Sequence, residues 1–131
     1  MSTRSIAEKL LIKPSTTAWL SHADQRARIE PLPEGVRIVD AMEQATVALV
    51  FADAAASARE ILTAHKGHLA RPAVFWVVYP KGNKADINRD TLWPILAEYG
   101  MRPITQVAID DVWSALRFRP LKEGETAFTG G

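Results

Sequence analysis

The segment Pro72–Pro120, PAVFWVVYPKGNKADINRDTLWPILAEYGMRPITQVAIDDVWSALRFRP, decides the architecture. Ala73–Tyr79 is an unbroken apolar run, the pattern of a strand covered on both faces. Pro80–Arg89 is polar and reads as a loop. Asp90 is placed to cap a helix in which Leu92, Leu96 and Tyr99 share a face, and Gly100 ends it. Pro94 stands at the edge of that helix's first turn, where a missing N–H costs little. Ile104–Ile109 and Val112–Arg119 are two further strands. Only Asp110 and Asp111 separate them, so they pair antiparallel as a hairpin. Strand, helix, strand, strand is the closing half of an open α/β sheet.

The opening half supplies the rest of such a sheet. Ser5-x-x-Glu8 is a capping-box pattern, Ile6 and Leu10 fall on one helical face, and Pro14 stops the helix. Thr16–His22 reads as a first strand, and Asp24–Ile29 as a short helix capped by Asp24. Pro31, Pro33 and Gly35 then break the chain. Val36–Val39 is a short strand ending at Asp40. Thr46–Ala52 is a second continuous apolar strand. Asp53 is positioned to cap the next helix, which carries Ala54, Ala58, Ile61, Leu62 and His65 at helical spacing and reaches Gly67 as its C′ residue. Strands alternating with helices imply a parallel sheet with right-handed crossovers on both faces. Residues 1–121 form one α/β domain, and 122–131 read as a polar C-terminal tail.

Composition bounds the function classes. The 131 residues suit one domain with a sizeable core. Sixteen basic and fifteen acidic residues leave a net charge of +1, which argues against a general nucleic-acid or membrane-surface binder. The absence of cysteine excludes disulfides, thiolate metal sites and thiol catalysis. The opening residues lack the apolar core of a signal peptide, and no apolar run approaches a membrane span, so a cytoplasmic protein is expected.

Two resemblances follow from quoted motifs. The two closing strands after a helix–glycine turn, with Lys13-Pro14-Ser15 before the first strand, resemble the class I methyltransferase fold. That resemblance implies a Rossmann-like three-layer domain of about six strands, in the order 2-1-3-4-6-5 with strand 6 antiparallel. Lys9–Pro14, Leu32–Asp40, Trp76–Gly82, Asn88–Leu92 and Asp110–Pro120 are similar to the motifs of a family of small bacterial proteins classed as a domain of unknown function. The resemblance covers nearly the whole chain and carries no activity. The sequence departs from the methyltransferase pattern in one respect. The turn after the first strand is Ser21-His22-Ala23-Asp24, without glycine, and Ser15 stands where the lead-in has glycine.

In open α/β sheets, ligands sit outside the carboxyl ends of the strands at a switch in strand order. Ser21, His22, Asp40, Asp53, Lys81 and Asp110 are expected there. Asp40 stands where nucleotide-binding relatives place a ribose acceptor, or is a solvated loop aspartate. Ser21, His22 and Asp24 have the residue types of a triad, but real triads come from separate segments. Lys81 is expected to meet Asp110, Asp111 and Trp113 at one edge of the sheet. That corner is either an anion- or partner-binding site or a structural ion pair beside a packed aromatic.

Weaker patterns end in bland readings. Asp86-x-Asn88-x-Asp90 begins like a calcium loop but lacks the later glycine and glutamate. His65 and His68 have no evident third ligand. Arg117 and Arg119 share one side of the last strand with Trp113 and Ala115. Trp19 and Trp76 read as core, and Trp93 and Trp113 as partly exposed.

No catalytic residue, cofactor or metal is assigned. The expectation is a non-catalytic protein acting through a small ligand or a protein partner, with a homodimer possible and nucleic acid and membrane unexpected. The alternatives are a diverged methyltransferase-like or nucleotide-dependent enzyme and a structural homo-oligomer subunit.

Overall fold

A computed structural model describes residues 6–69, 71–81, 87 and 89–120. The capping-box Ser5, the calcium-loop positions Asp86 and Asn88, and the tail 122–131 lie outside them. The chain runs α1 (Ile6–Lys9), β1 (Thr17–Leu20), β2 (Arg37–Ile38), β3 (Val47–Phe51), α2 (Ala55–Ala64), β4 (Val74–Pro80), α3 (Arg89–Ala97), β5 (Met101–Ala108) and β6 (Trp113–Pro120). Three 3₁₀ segments, Ala23–Ile29, Met42–Gln44 and Lys66–His68, complete the crossovers. The strands form one sheet in the order β2-β1-β3-β4-β6-β5. The first four are parallel, and β6 lies antiparallel between β4 and β5. The order implied by the methyltransferase resemblance is therefore the order observed.

The two apolar runs become the centre of the sheet because both their faces need cover. Every residue of β3 is buried, as are Phe75–Tyr79 of β4. On one face Leu49, Phe51, Trp76, Val78 and Ala115 pack against Ala7 of α1, Leu10 just after it and Ile29 of the first 3₁₀ segment. On the other, Val50, Phe75, Val77 and Phe118 pack against Ala58 and Leu62 of α2 and Leu92, Ile95 and Leu96 of α3. Trp19 and Trp76 are buried as expected, and Trp93 and Trp113 are half-buried. His65 completes the apolar face of α2 by meeting the Trp19 ring edge-on, with centroids 4.7 Å apart.

The termini of the helices differ from expectation. Asp24 lies inside the 3₁₀ segment it was expected to cap, whose N-cap is His22 with no capping bond from its side chain. Asp53 precedes the N-cap of α2, which is Ala54. Ser57 does the local work instead, its hydroxyl accepting the Ala54 N–H at 3.1 Å. Asp90 falls in the first turn of α3 rather than before it, and Pro94 lies within the helix. Gly67 lies in a 3₁₀ turn and is not left-handed, so α2 ends at His65 through its own backbone bonds. Gly100, with φ +77°, closes α3 as expected.

Ser15 has φ +61°, the left-handed region that favours glycine, so the departure from Lys-Pro-Gly has a physical cost. Its Oγ also stands 2.9 Å from where a Cβ on Gly35 would lie, and Gly35 itself has φ +77°. Ser15→Gly is expected to stabilise the fold by up to about 1 kcal/mol, and Gly35→Ala to destabilise it by more than about 1 kcal/mol. Urea denaturation of the two single variants and the double variant checks this. The double variant should recover part of the Gly35→Ala loss, because the serine hydroxyl is then gone.

Candidate functional site at the carboxyl edge of the sheet

All the candidate residues lie at one edge. Ser21 and His22 follow β1, Asp40 follows β2, Asp53 follows β3 and Lys81 follows β4, while Asp110, Asp111 and Trp113 belong to the β5–β6 corner at that same edge. The strand order reverses between β1 and β3, so the crevice expected of an open α/β sheet lies between Ser21 and Asp53.

Ser21 bridges that crevice. Its N–H donates to the Leu49 carbonyl at 2.9 Å and so extends the β1–β3 ladder by one bond. In a longer β1 the next acceptor would be a main-chain carbonyl. Here the Ser21 hydroxyl takes that place and accepts the Phe51 N–H at 2.7 Å. The same oxygen lies 2.9 Å from His22 Nδ1, with the shared proton on either atom. The Ser21 hydroxyl thus ties the ends of β1 and β3 together. The hollow beside it, lined by His22, Gln25, Phe51, Asp53, Ser57 and Trp113, has a volume of about 90 Å³. Ligand clefts usually have about 300–1,000 Å³. Asp53 Oδ1 stands 3.1 Å from the Ser57 hydroxyl, which can also donate to the Ala54 carbonyl at 2.9 Å. Asp40 is exposed at the end of β2 and joins none of these contacts.

The second cluster forms around a residue not singled out in the sequence. Pro80 pairs with Trp113 and the Lys81 N–H donates to the Val112 carbonyl at 2.7 Å, so the backbones meet as expected. The Lys81 side chain nevertheless makes no ion pair with Asp110 or Asp111 among the described residues. The cation at the corner is Arg28, from the 3₁₀ segment after β1. Its Nη1 lies 3.6 Å from Asp110 Oδ2, and its guanidinium carbon lies 4.9 Å from the centre of the Trp113 ring. Gln25 Oε1 accepts from Arg28 Nε and holds the fork in place. The other Asp110 oxygen accepts the Val112 and Trp113 N–H groups, both at 2.8 Å.

The turn is therefore not the two-residue corner expected. Ala108 pairs with Ser114, and Ile109–Val112 form a four-residue loop built on the Asp110 carboxylate. Asp111 is exposed and outside the cluster. Both Arg28 and Asp110 keep more than a third of their side-chain surface exposed, so their pairing is worth only about 0–1 kcal/mol. This cluster holds a turn and an aromatic in place. Arg28 was legible only as a basic residue in a short helix, because its partner lies more than eighty positions away in the chain.

Elsewhere, an open cleft of about 570 Å³ is lined by Glu8, Leu11, Ile12, Lys13, Pro14, Pro31, Leu32 and Pro33. Among the described residues no group of three or more His, Cys, Asp or Glu could hold a metal ion, and no helix is long and apolar enough to cross a membrane.

Comparison with solved structures places this geometry in a known frame. A Streptococcus pneumoniae protein, Sp1610, provisionally named a tRNA (m1A22) methyltransferase, superposes with a TM-score of 0.55 at 9% identity, covering 93% of this chain and 69% of that one. A protein of the NADB-Rossmann superfamily from Streptococcus agalactiae superposes with a TM-score of 0.58 at 7% identity, covering 92% and 69%. The fold is of the methyltransferase type. A variant of LepI bound to SAH and a substrate analogue gives 0.53 at 12% identity, and there the chain covers only 39% of its counterpart. No protein-family model and no curated protein sequence matches the chain. Identities this low speak for the fold alone.

Ser21→Ala would leave the buried Phe51 N–H without its acceptor and is expected to cost about 1–2 kcal/mol. Asp110→Ala, which frees two turn N–H groups, is expected to cost about as much. Asp40→Ala, at an exposed position, should stay within about 0.5 kcal/mol of the parent. Chemical denaturation followed by tryptophan fluorescence ranks the three.

Proposed function

We propose that the protein is a non-catalytic binding module that keeps the frame of a cofactor-binding fold and has closed the cofactor crevice with its own side chains. One observation carries the reading: the Ser21 hydroxyl accepts the Phe51 N–H at the strand-order switch. A cofactor approaching the backbone there would have to displace a hydrogen bond to a buried strand residue, into a hollow of about 90 Å³. The turn Ser21-His22-Ala23-Asp24 also has no glycine to permit close approach. The aspartates that could take part in chemistry are engaged otherwise or exposed. Asp110 holds a turn, Asp53 faces Ser57, and Asp40 is exposed beyond β2.

The competing reading is a diverged methyltransferase-like enzyme. Its support is the shared fold and the position of Asp40, which ends β2 at the carboxyl edge where a ribose would be bound. SAH is bound in the LepI structure with the same frame. A homo-oligomeric structural role is a third reading, which light scattering on the purified chain separates from the other two.

Differential scanning fluorimetry with S-adenosylmethionine, SAH, NAD and adenine nucleotides tests the proposal. Melting temperatures are expected to stay unchanged at ligand concentrations of about 1 mM, since a ligand at a hundredfold its Kd would stabilise by about 2.7 kcal/mol. A shift of several degrees that disappears in Asp40→Ala would sink the binding-module reading and favour the enzyme.

A further inference from the structure

The β5–β6 end of the sheet carries a basic patch separate from the crevice. Arg117 pairs in register with Trp76, whose ring belongs to the α1-side core, so Arg117 stands on that face. Period-two alternation puts Arg119 on the same face, and Arg102 is its direct cross-strand neighbour. Three arginine Cα positions thus fall within about 5–7 Å of their neighbours.

Arg117 is the informative member. It is half-buried, and its buried Nε has no hydrogen-bond partner among the described residues. Leaving a guanidinium N–H desolvated without an acceptor is costly, and an arriving oxyanion relieves that cost. Beside the patch, a bulge between Pro103 and Thr105 leaves Ile104 about half exposed, one of two large hydrophobic side chains so exposed among the described residues.

We propose that this patch binds an acidic segment of a protein partner, with a carboxylate on Arg117 and an apolar side chain against Ile104. Arginine is enriched at protein interfaces, whereas lysine is depleted there. The patch is too short for a nucleic-acid track, which needs several phosphate contacts, and the net charge of +1 gives little long-range attraction to a polyanion. The inference names a partner class for the binding-module reading but does not use the crevice. A cofactor-dependent melting shift would therefore fail that reading alone, and a failed peptide titration would fail this one alone.

The test is fluorescence anisotropy of a short labelled peptide of alternating glutamate and leucine, titrated with the full chain. A lysine–leucine peptide and a single-stranded oligothymidylate are run in parallel. The acidic peptide is expected to bind, more weakly as salt rises from about 50 to about 300 mM. Arg117→Gln should weaken it about tenfold or more, and Arg117→Lys should recover part of the loss. Ile104→Glu, at an exposed position that leaves the core untouched, should abolish binding whatever Arg117→Gln does to folding. Three results would overturn the proposal: no binding of the acidic peptide at low salt, unchanged affinity in both Arg117→Gln and Ile104→Glu, or tighter binding of the oligothymidylate.

Discussion

The Trp76 indole is the contact on which one whole layer depends. Its Nε1–H donates to the Leu10 carbonyl at 2.9 Å, across 66 positions of sequence, and the ring is fully buried. A helix end leaves carbonyls without partners, and burying one unpaired costs about 1–3 kcal/mol. In α1 the Ala7 and Glu8 carbonyls are satisfied by the N–H groups of Ile12 and Leu11, the latter at φ +66°. The Leu10 carbonyl accepts the Trp76 Nε1–H from the central strand. This bond and the packing of Ala7 and Leu10 fix the segment to β4.

That docking also explains how the β1–β2 crossover manages with little regular structure. The segment after β1 is a 3₁₀ turn rather than an amphipathic α-helix, so it covers the sheet mainly through Ile29. α1 supplies the remaining apolar cover on the same face. The opposite face is conventional: α2 and α3 bury Ala58, Leu62, Leu92, Ile95 and Leu96 against the strands. The asymmetry places the irregular layer beside the crevice. Arg28, held by Gln25, reaches from that layer to the β5–β6 corner.

Much of the fold was legible because burial writes itself into the sequence as pattern. Val47–Phe51 and Val74–Tyr79 are apolar at nearly every position, which only a strand covered on both sides requires. Gly100 marked a left-handed stop that its φ confirms. The helix caps were misread for a common reason. Asp24, Asp53 and Asp90 each lie within a residue or two of a helix start, and local composition cannot tell the N-cap from its neighbours. The corner was half legible. Backbone adjacency of Lys81 and Trp113 follows from strand order, but side-chain pairing depends on where a distant 3₁₀ segment comes to rest.

The same reasoning separates two kinds of polar residue at the carboxyl edge. Ser21 and Asp110 each accept main-chain N–H groups, one across strands and one within a turn. Removing either is a question of folding. Asp40 and Asp111 are exposed and joined to neither cluster, so removing them is a question of function alone. The methyltransferase-type strand order depends on the apolar strands and their cover, not on the turn that follows β1.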